Sequence, residues 1–333
     1  MSSNQHLAVL CKNTNGHEAL TLESVPTLLP TGKEVLVEVA AAGLNYPDVL
    51  MSEGRYQIKP PYPFSPGGEL AGHIAAVGDQ ATKFKVGDRV VSLCGWGGFQ
   101  EKTTLREDQC IKIPDFLPLD VAAGFLFTYG TTIHALRDRG ELKRGEYVLV
   151  LGASGGTGIS AIEIAKAMGA IVIAAASTQE KLDLCTSFGA DFTINYSTEK
   201  LKTRLGEITK GHGVDVCYDA VGGDHAEPAL RSMAWRGRYL VIGFVGGIPK
   251  IPLNLTLLKG CSIVGVFWGS FTTREPKQFE TDVQQLFDWY ANKQIRPVSK
   301  QRFALKDAKV GIAYLKDRKV LGKAIVVMKE SKL

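Results

Sequence analysis

From residue 147 onward, short apolar runs alternate with longer stretches whose apolar residues recur every three or four positions. Tyr147-Val-Leu-Val-Leu151, Ile171-Val-Ile-Ala-Ala-Ala176, Phe192-Thr-Ile-Asn195, Val214-Asp-Val-Cys-Tyr-Asp219, Tyr239-Leu-Val-Ile242 and Ser262-Ile-Val-Gly-Val266 predict six strands. Most are apolar throughout rather than alternating, the pattern of strands covered on both faces. Helical periodicity over 159–168, 180–188 and 201–208 separates them. Strand and helix in alternation predict an α/β doubly wound parallel sheet.

Before residue 122 the pattern is different. Val35-Leu-Val-Glu-Val-Ala40 alternates, 70–77 is small and apolar, and Asp88-Arg-Val-Val-Ser-Leu93 follows a Val86-Gly87 turn. Proline and glycine are dense between Gly54 and Gly78. These features predict a β-rich unit with tight corners, such as a compact barrel. Residues 126–136 read as helix, and the tail holds a helix near 279–291 and a strand over 322–328. A chain of 333 residues suggests two domains, since one core rarely grows that large. The expected division is 1–124 for the β-rich domain, 125–267 for the sheet domain, and 268–333 as a return that completes the first.

The strand at 147–151 runs into Gly152-Ala-Ser-Gly-Gly-Thr-Gly158, and Ile159, Ile162, Ile164, Ala165 and Met168 then mark a helix that stops at Gly169. Against the fingerprint G-x-G-x-x-G, Ala153 takes the first position, Gly155 the third and Gly158 the sixth. Such a turn is either an ordinary tight connection or a cradle for pyrophosphate. In the cradle, Gly155, Gly156, Thr157 and Gly158 lie under the phosphates at the helix N-terminus. The apolar run that begins at Ala170 completes a βαβ unit and favours the dinucleotide.

NAD-selective sheets end the second strand with an Asp or Glu that grips the ribose. Here the strand ends at Ala176-Ser177, and Lys181 follows at the start of the next helix. A hydroxyl and an ammonium welcome a 2′-phosphate that a carboxylate would repel, so the expected cofactor is NADPH. The other possibility is that Lys181 is a surface lysine and Ser177 a helix cap.

Composition adds limits. Apolar residues are 45% and charged residues 22% of the chain, as in globular proteins. The net charge of +5 is scattered without a basic run, so no nucleic-acid partner is expected. No apolar stretch reaches spanning length, so no membrane partner is expected. The N-terminal residues carry neither a signal-peptide pattern nor an Arg-rich presequence, and the expected location is cytoplasmic. Six cysteines, Cys11, Cys94, Cys110, Cys185, Cys217 and Cys261, are dispersed without a C-x-x-C pair. They are expected to be buried thiols.

In order along nearly the whole chain come Ala42-Gly-Leu-Asn-Tyr-Pro-Asp48, Pro63-Phe-Ser-Pro-Gly-Gly-Glu-Leu-Ala-Gly72, Val86-Gly-Asp-Arg-Val90, Gly155-Gly-Thr-Gly158 and Asp219-Ala-Val-Gly-Gly223. Arg236-Gly-Arg-Tyr-Leu-Val-Ile-Gly243, Gly265-Val-Phe-Trp-Gly269 and Gly322-Lys-Ala-Ile-Val326 follow. With this ordered set the chain resembles the medium-chain dehydrogenase/reductase superfamily, and most closely its zinc-free quinone oxidoreductase branch. The resemblance implies a GroES-like β-rich catalytic domain beside the Rossmann domain. In zinc-dependent members Asn45 would be cysteine and Gly68 histidine. Asn and Gly cannot replace a thiolate and an imidazole on tetrahedral zinc. The cysteine quartet of the structural zinc lobe is missing too, and His73 reads as a wall residue. No metal is expected.

The resemblance also places side chains. Tyr196 joins Ser177 and Lys181 about the 2′-phosphate, and Val221 lies on the adenine side. Gly243, Phe244 and Val245 border the nicotinamide ribose, and Phe267 and Trp268 the ring, unless those two belong to the core. Thr131 and Arg318 lie near the cofactor. Asn45, Tyr46 and Asp48 line the catalytic side. Tyr46 and Tyr56 are candidate proton donors, or simple packing aromatics. Without a Lewis acid the substrate must already accept hydride. The expected function is therefore NADPH-dependent, zinc-independent reduction of a quinone. The resemblance further implies a homodimer, joined along the 262–266 strand. The alternatives are reduction of an enone, a 2-alkenal or an enoyl thioester, and an NADPH-binding protein without turnover. A zinc alcohol dehydrogenase fits least.

Overall fold

The computed structural model describes residues 4–328. The chain divides into two compact units, one running to Phe127 and resuming at Val298, the other spanning Thr128–Pro297. The first division lies close to the expected 124/125, but the second lies well beyond 267/268. The helices Trp268–Arg274 and Pro276–Ala291 stay with the second unit. Phe271 stacks on His134 at 3.9 Å, and Arg137 pairs with the buried Asp282. Those contacts retain the two helices, so only the last part of the tail returns.

In the second unit six parallel strands lie in the order Phe192–Asn195, Ile171–Ala176, Tyr147–Leu151, Val214–Asp219, Met233–Val241, Ser262–Gly265. This is the doubly wound order, with its switch point between the first and fourth strands in sequence. Val148, Leu149, Val150 and Leu151 have no solvent exposure. The all-apolar run therefore faces helices on both sides, as its pattern requires. Met233–Val241 starts six residues before the predicted strand, and its register with Val214–Asp219 shifts between Val214 and Val216. Trp235, Arg236 and Gly237 carry that irregularity, which is why periodicity did not mark it.

In the first unit Ser299–Ala304, Lys323–Val327, Glu34–Gly43, Glu69–Val77, Arg89–Ser92 and Cys110–Lys112 pair in that order, and Lys102–Arg106 also pairs with Glu34–Gly43. A separate ribbon, Gln5–Cys11 with Leu20–Pro26, joins by bridges from Ala8 to Gln100 and Cys11 to Phe64. Its core gathers Val35, Val37, Leu70, Ile74, Val90, Phe99 and Val326. No helix among the described residues is long and apolar enough to cross a membrane.

The sheet of the second unit depends on its central strand. Leu149→Ala is expected to lower the unfolding free energy by about 2–5 kcal/mol through lost burial and a residual cavity, read by denaturant titration of that unit's unfolding.

Candidate active site

The carboxyl ends of the six parallel strands carry most of the residues singled out in the second unit. Leu151 leads into Gly152, whose φ of 70° is costly for any residue with a Cβ. Gly155 caps the helix Gly156–Ala167. A Cβ on Gly158 would overlap the carbonyl oxygens of Gly152 and Ala153. By contrast, a Cβ on Gly155 would meet only the Gly152 oxygen, at 3.5 Å. Gly158 thus closes the turn, whereas Gly155 leaves backbone open for a ligand to approach. The left-handed position is Gly152, one residue ahead of the fingerprint's nominal first site at Ala153.

At the second strand tip Thr178, not Ser177, caps the helix Gln179–Ser187, accepting the Lys181 N–H. This corrects the alternative in which Ser177 was the cap. Ser177 instead accepts a hydrogen bond from Lys181 Nζ at 3.2 Å. Tyr196 follows the neighbouring strand, and its N–H donates to the Ala176 carbonyl. Sheet register therefore places Tyr196 beside Ser177. Its ring lies 4.1 Å from that of His225, a residue the sequence pattern did not single out.

Asp219 ends the fourth strand and organises the next loop. One oxygen accepts the N–H groups of Val221 and Gly222, each at 2.8 Å, and the other accepts the Tyr239 hydroxyl. The Gly246 N–H donates to Val221 O, and the Gly223 N–H to Gly247 O. Val221 is buried between Gly152 and Gly246. The structure thereby brings Val221 against the glycine turn, while Gly243 lies against Ala220 at the same strand ends. Phe244 and Phe267 are exposed, but Trp268 is buried, covering Gly130 and meeting Phe279 edge-on at 6.0 Å. Thr131 is buried between two π-helical stretches, Leu126–Gly130 and His134–Arg139, an arrangement often found near functional positions.

The first unit holds a different kind of site. Asn45 precedes the helix Tyr46–Ser52, and its N–H donates to Asp48 Oδ2 at 2.8 Å, one half of a capping box. Gly67 N–H donates to the other oxygen of Asp48 at 3.1 Å. Asp48 has no exposure, and burial pushes its carboxyl up to about 7, against the pull of those two donors and of Lys323. Asn45 Nδ2 donates to Glu69 Oε1 at 3.0 Å, while Lys323 Nζ donates to Asn45 Oδ1 at 2.7 Å and Glu69 Oε1 at 2.5 Å. Phe127 N–H satisfies Glu69 Oε2 at 2.9 Å. Both ends of the Asn45 amide are thus engaged internally. Tyr46 and Tyr56 are partly buried against the same core. Burial and the nearby Asp48 raise the Tyr56 phenol. Arg318 is exposed, with a left-handed φ of 59° after the helix Ala308–Lys316.

Lys323 was missed, although a lysine opening an otherwise apolar strand was a usable signal. A side chain at Gly68 would start 3.1 Å from the Gly95 carbonyl oxygen, leaving poor room for a histidine. Burial raises the thiols of Cys94 and Cys110, the latter to about 12, so neither is a ready thiolate. Elsewhere His134, Asp138 and Asp282 bring possible metal ligands within 4.8 Å of one another. Arg137 donates to both carboxylates there, so the cation among them is the protein's own.

Residues 31–115 match the alcohol dehydrogenase GroES-like domain, and 156–289 the zinc-binding dehydrogenase domain. The chain is similar to quinone oxidoreductase-like protein 2 homolog of Nematostella vectensis, with 34% identity over 97% of this chain and 89% of that protein. It is 35% identical to a quinone oxidoreductase of Pseudomonas aeruginosa over 94% of this chain and 96% of the relative. The structure of Escherichia coli quinone oxidoreductase complexed with NADPH superposes with a TM-score of 0.90 at 29% identity, covering 97% of this chain and 100% of that one. The second domain description implies zinc, and the donor set around Asn45, Gly68 and Lys323 does not fit it. The chain belongs to the medium-chain dehydrogenase/reductase superfamily, as an oxidoreductase related to the quinone oxidoreductases.

Proposed function

We propose that this protein is an NADPH-dependent quinone reductase that works without zinc. The observation that carries the cofactor is the Ser177–Lys181 pair at a strand tip that has no carboxylate, on the strand next to the one that leads into the open Gly155 turn. Pyrophosphate would lie on Gly155, Gly156, Thr157 and Gly158, where the helix N-terminus favours negative charge. Ser177, Lys181 and Tyr196 would receive the 2′-phosphate. Val221, Gly243, Phe244 and Val245 would flank the remainder, with Phe267 and Thr131 as further contacts and Trp268 as support from beneath.

When bound, NADPH supplies a hydride. Asn45, Tyr46, Asp48 and Tyr56 are proposed to shape the acceptor side, Asn45 and Asp48 by holding the helix start and Tyr46 and Tyr56 by presenting hydroxyls. An alcohol requires deprotonation as its hydride leaves, which a Lewis acid assists. A quinone already accepts hydride and can take protons from solvent or a phenol. The donor set therefore favours an acceptor of that class. NADPH oxidation with 1,4-benzoquinone is the expected result. No turnover with any quinone, but turnover with an α,β-unsaturated ketone or thioester, would move the assignment to alkene reduction. Tight NADPH binding with neither would leave a binding protein.

The six unpaired thiols, five of them buried, support the proposed cytoplasmic location. A homodimer belongs to the same proposal. Ser262–Gly265 is an edge strand with exposed Ile263, and exposed Trp235 lies on the strand paired with it and exposed Leu253, Leu257 and Leu258 in the segment just before it. An open strand edge beside apolar surface invites a second copy.

Two substitutions check these assignments. Lys181→Ala is expected to raise the NADPH KM by about tenfold or more, the scale of a charge-assisted phosphate contact, with the NADH KM unchanged. An unchanged ratio would remove the phosphate assignment. Leu257→Asp is expected to convert a sedimenting dimer to monomer; a wild-type monomer at micromolar concentration would rule the dimer out.

A further inference from the structure

The cluster in the first unit is built around one cation. Glu69 is fully buried, and its only ammonium partner among the described residues is Lys323, itself 8% exposed. Space for the pair comes from two glycines. A Cβ on Gly43 would overlap the Glu69 carboxylate, and one on Gly124 would stand 2.8 Å from Lys323 Cγ. Two segments far apart in sequence therefore keep their backbones bare so that a single ion pair fits.

Asn45 depends on that ammonium. An amide can rotate to exchange its oxygen and nitrogen, but only the oxygen can face Nζ. Lys323 thus sets the amide with Oδ1 toward Nζ and Nδ2 toward Glu69. Asn45 in turn holds the first turn of the helix bearing Tyr46 and Asp48 through its main chain, its N–H donating to Asp48 Oδ2 and its carbonyl accepting the Asp48 N–H.

We propose that Lys323 is a positioning residue for hydride transfer: its ammonium occupies the place of a cation among Asn45 and Glu69 and fixes the Asn45 amide and the helix start beside it. This rests on the reading of Asn45, Tyr46 and Asp48 as the acceptor side. Removing the charge leaves a buried, unpaired Glu69 and frees Asn45 to rotate.

The effect on pH dependence has a defined sign. The groups facing Asp48 are Lys323 on the last strand, Glu69 on its own strand, Tyr56 beyond the helix and Cys94 in the loop after Arg89–Ser92. Ionised Asp48 accepts both the Asn45 and Gly67 N–H groups, so activity should fall as pH drops through about 7. Loss of the lysine charge raises the Asp48 pKa and moves that fall to higher pH. Loss of the Glu69 charge lowers it and moves the fall to lower pH.

The experiment compares wild type, Lys323→Met, Lys323→Arg and Glu69→Gln by kcat and KM with NADPH and 1,4-benzoquinone from pH 5.5 to 9. NADPH Kd by fluorescence and the Asp48 carboxyl titration by carbon-13 NMR, assigned with Asp48→Asn, accompany the kinetics. Lys323→Met is expected to lower kcat about tenfold, leave NADPH Kd within about twofold, and move the acidic limb up by about one pH unit. Lys323→Arg should restore most of kcat, and Glu69→Gln should move the limb down. An unmoved limb with unchanged kcat in Lys323→Met overturns the inference, as does an arginine variant no better than methionine. If Lys323→Met does not fold, Glu69→Gln decides: a downward limb supports the role and an unmoved one ends it. If wild type reduces no acceptor, the proposed function fails, while the Asp48 titration in the variants still decides whether Lys323 governs the cluster.

Discussion

Parallel alignment is the constraint on which the second unit depends. Six strands running the same way bring all their carboxyl ends to one edge of the sheet, and each must turn there into a loop or helix. Gly152, Ser177, Tyr196, Asp219, Gly243 and Phe267 follow or end different strands, yet this geometry lines them along that edge. The helix after Gly155 adds its amino end to the same place. A polyanionic ligand is suited to such an edge because backbone N–H groups and the helix dipole are already oriented, without the cost of moving them.

The edge has a supporting layer beneath it. Asp219 carries no exposed chemistry, but its two oxygens hold the 220–223 loop and the Tyr239 hydroxyl. Val221 then fits between Gly152 and Gly246, where a larger neighbour would force the loops apart. Trp268 supports from below in the same manner, filling the space that Gly130 leaves.

The first unit solves a different problem. Burying Glu69 alone would be strongly unfavourable, and its cost is offset only by a full set of partners. Lys323, Asn45 and the Phe127 amide provide them. Asp48 lacks a direct cation and keeps its carboxyl near neutrality instead, balanced between burial and two backbone donors. A zinc ion held by cysteine and histidine would require different atoms at Asn45 and Gly68. It would also have to share its surroundings with the Lys323 ammonium.

The parallel sheet was legible in the sequence because a strand covered on both faces has no polar side to show. Tyr147–Leu151, Ile171–Ala176 and Val214–Asp219 match their apolar runs in extent for that reason. The glycine turn was legible because Gly158 meets carbonyl oxygens a few residues away. Amphipathic periodicity marked the 279–291 helix but could not say which unit it packs on. Short helices such as Asn254–Lys259, and the irregular start of Met233–Val241, lack enough turns or alternation to register. What only the tertiary structure decided are contacts across long separations. His225 meets Tyr196 although the strands they follow lie three places apart in the sheet, and Lys323 reaches Asn45 across 278 positions. Sequence by itself determined which segments must be buried, since burial depends on each residue's own chemistry. Which buried charge finds which partner depends on distance in space, and only the folded chain sets that.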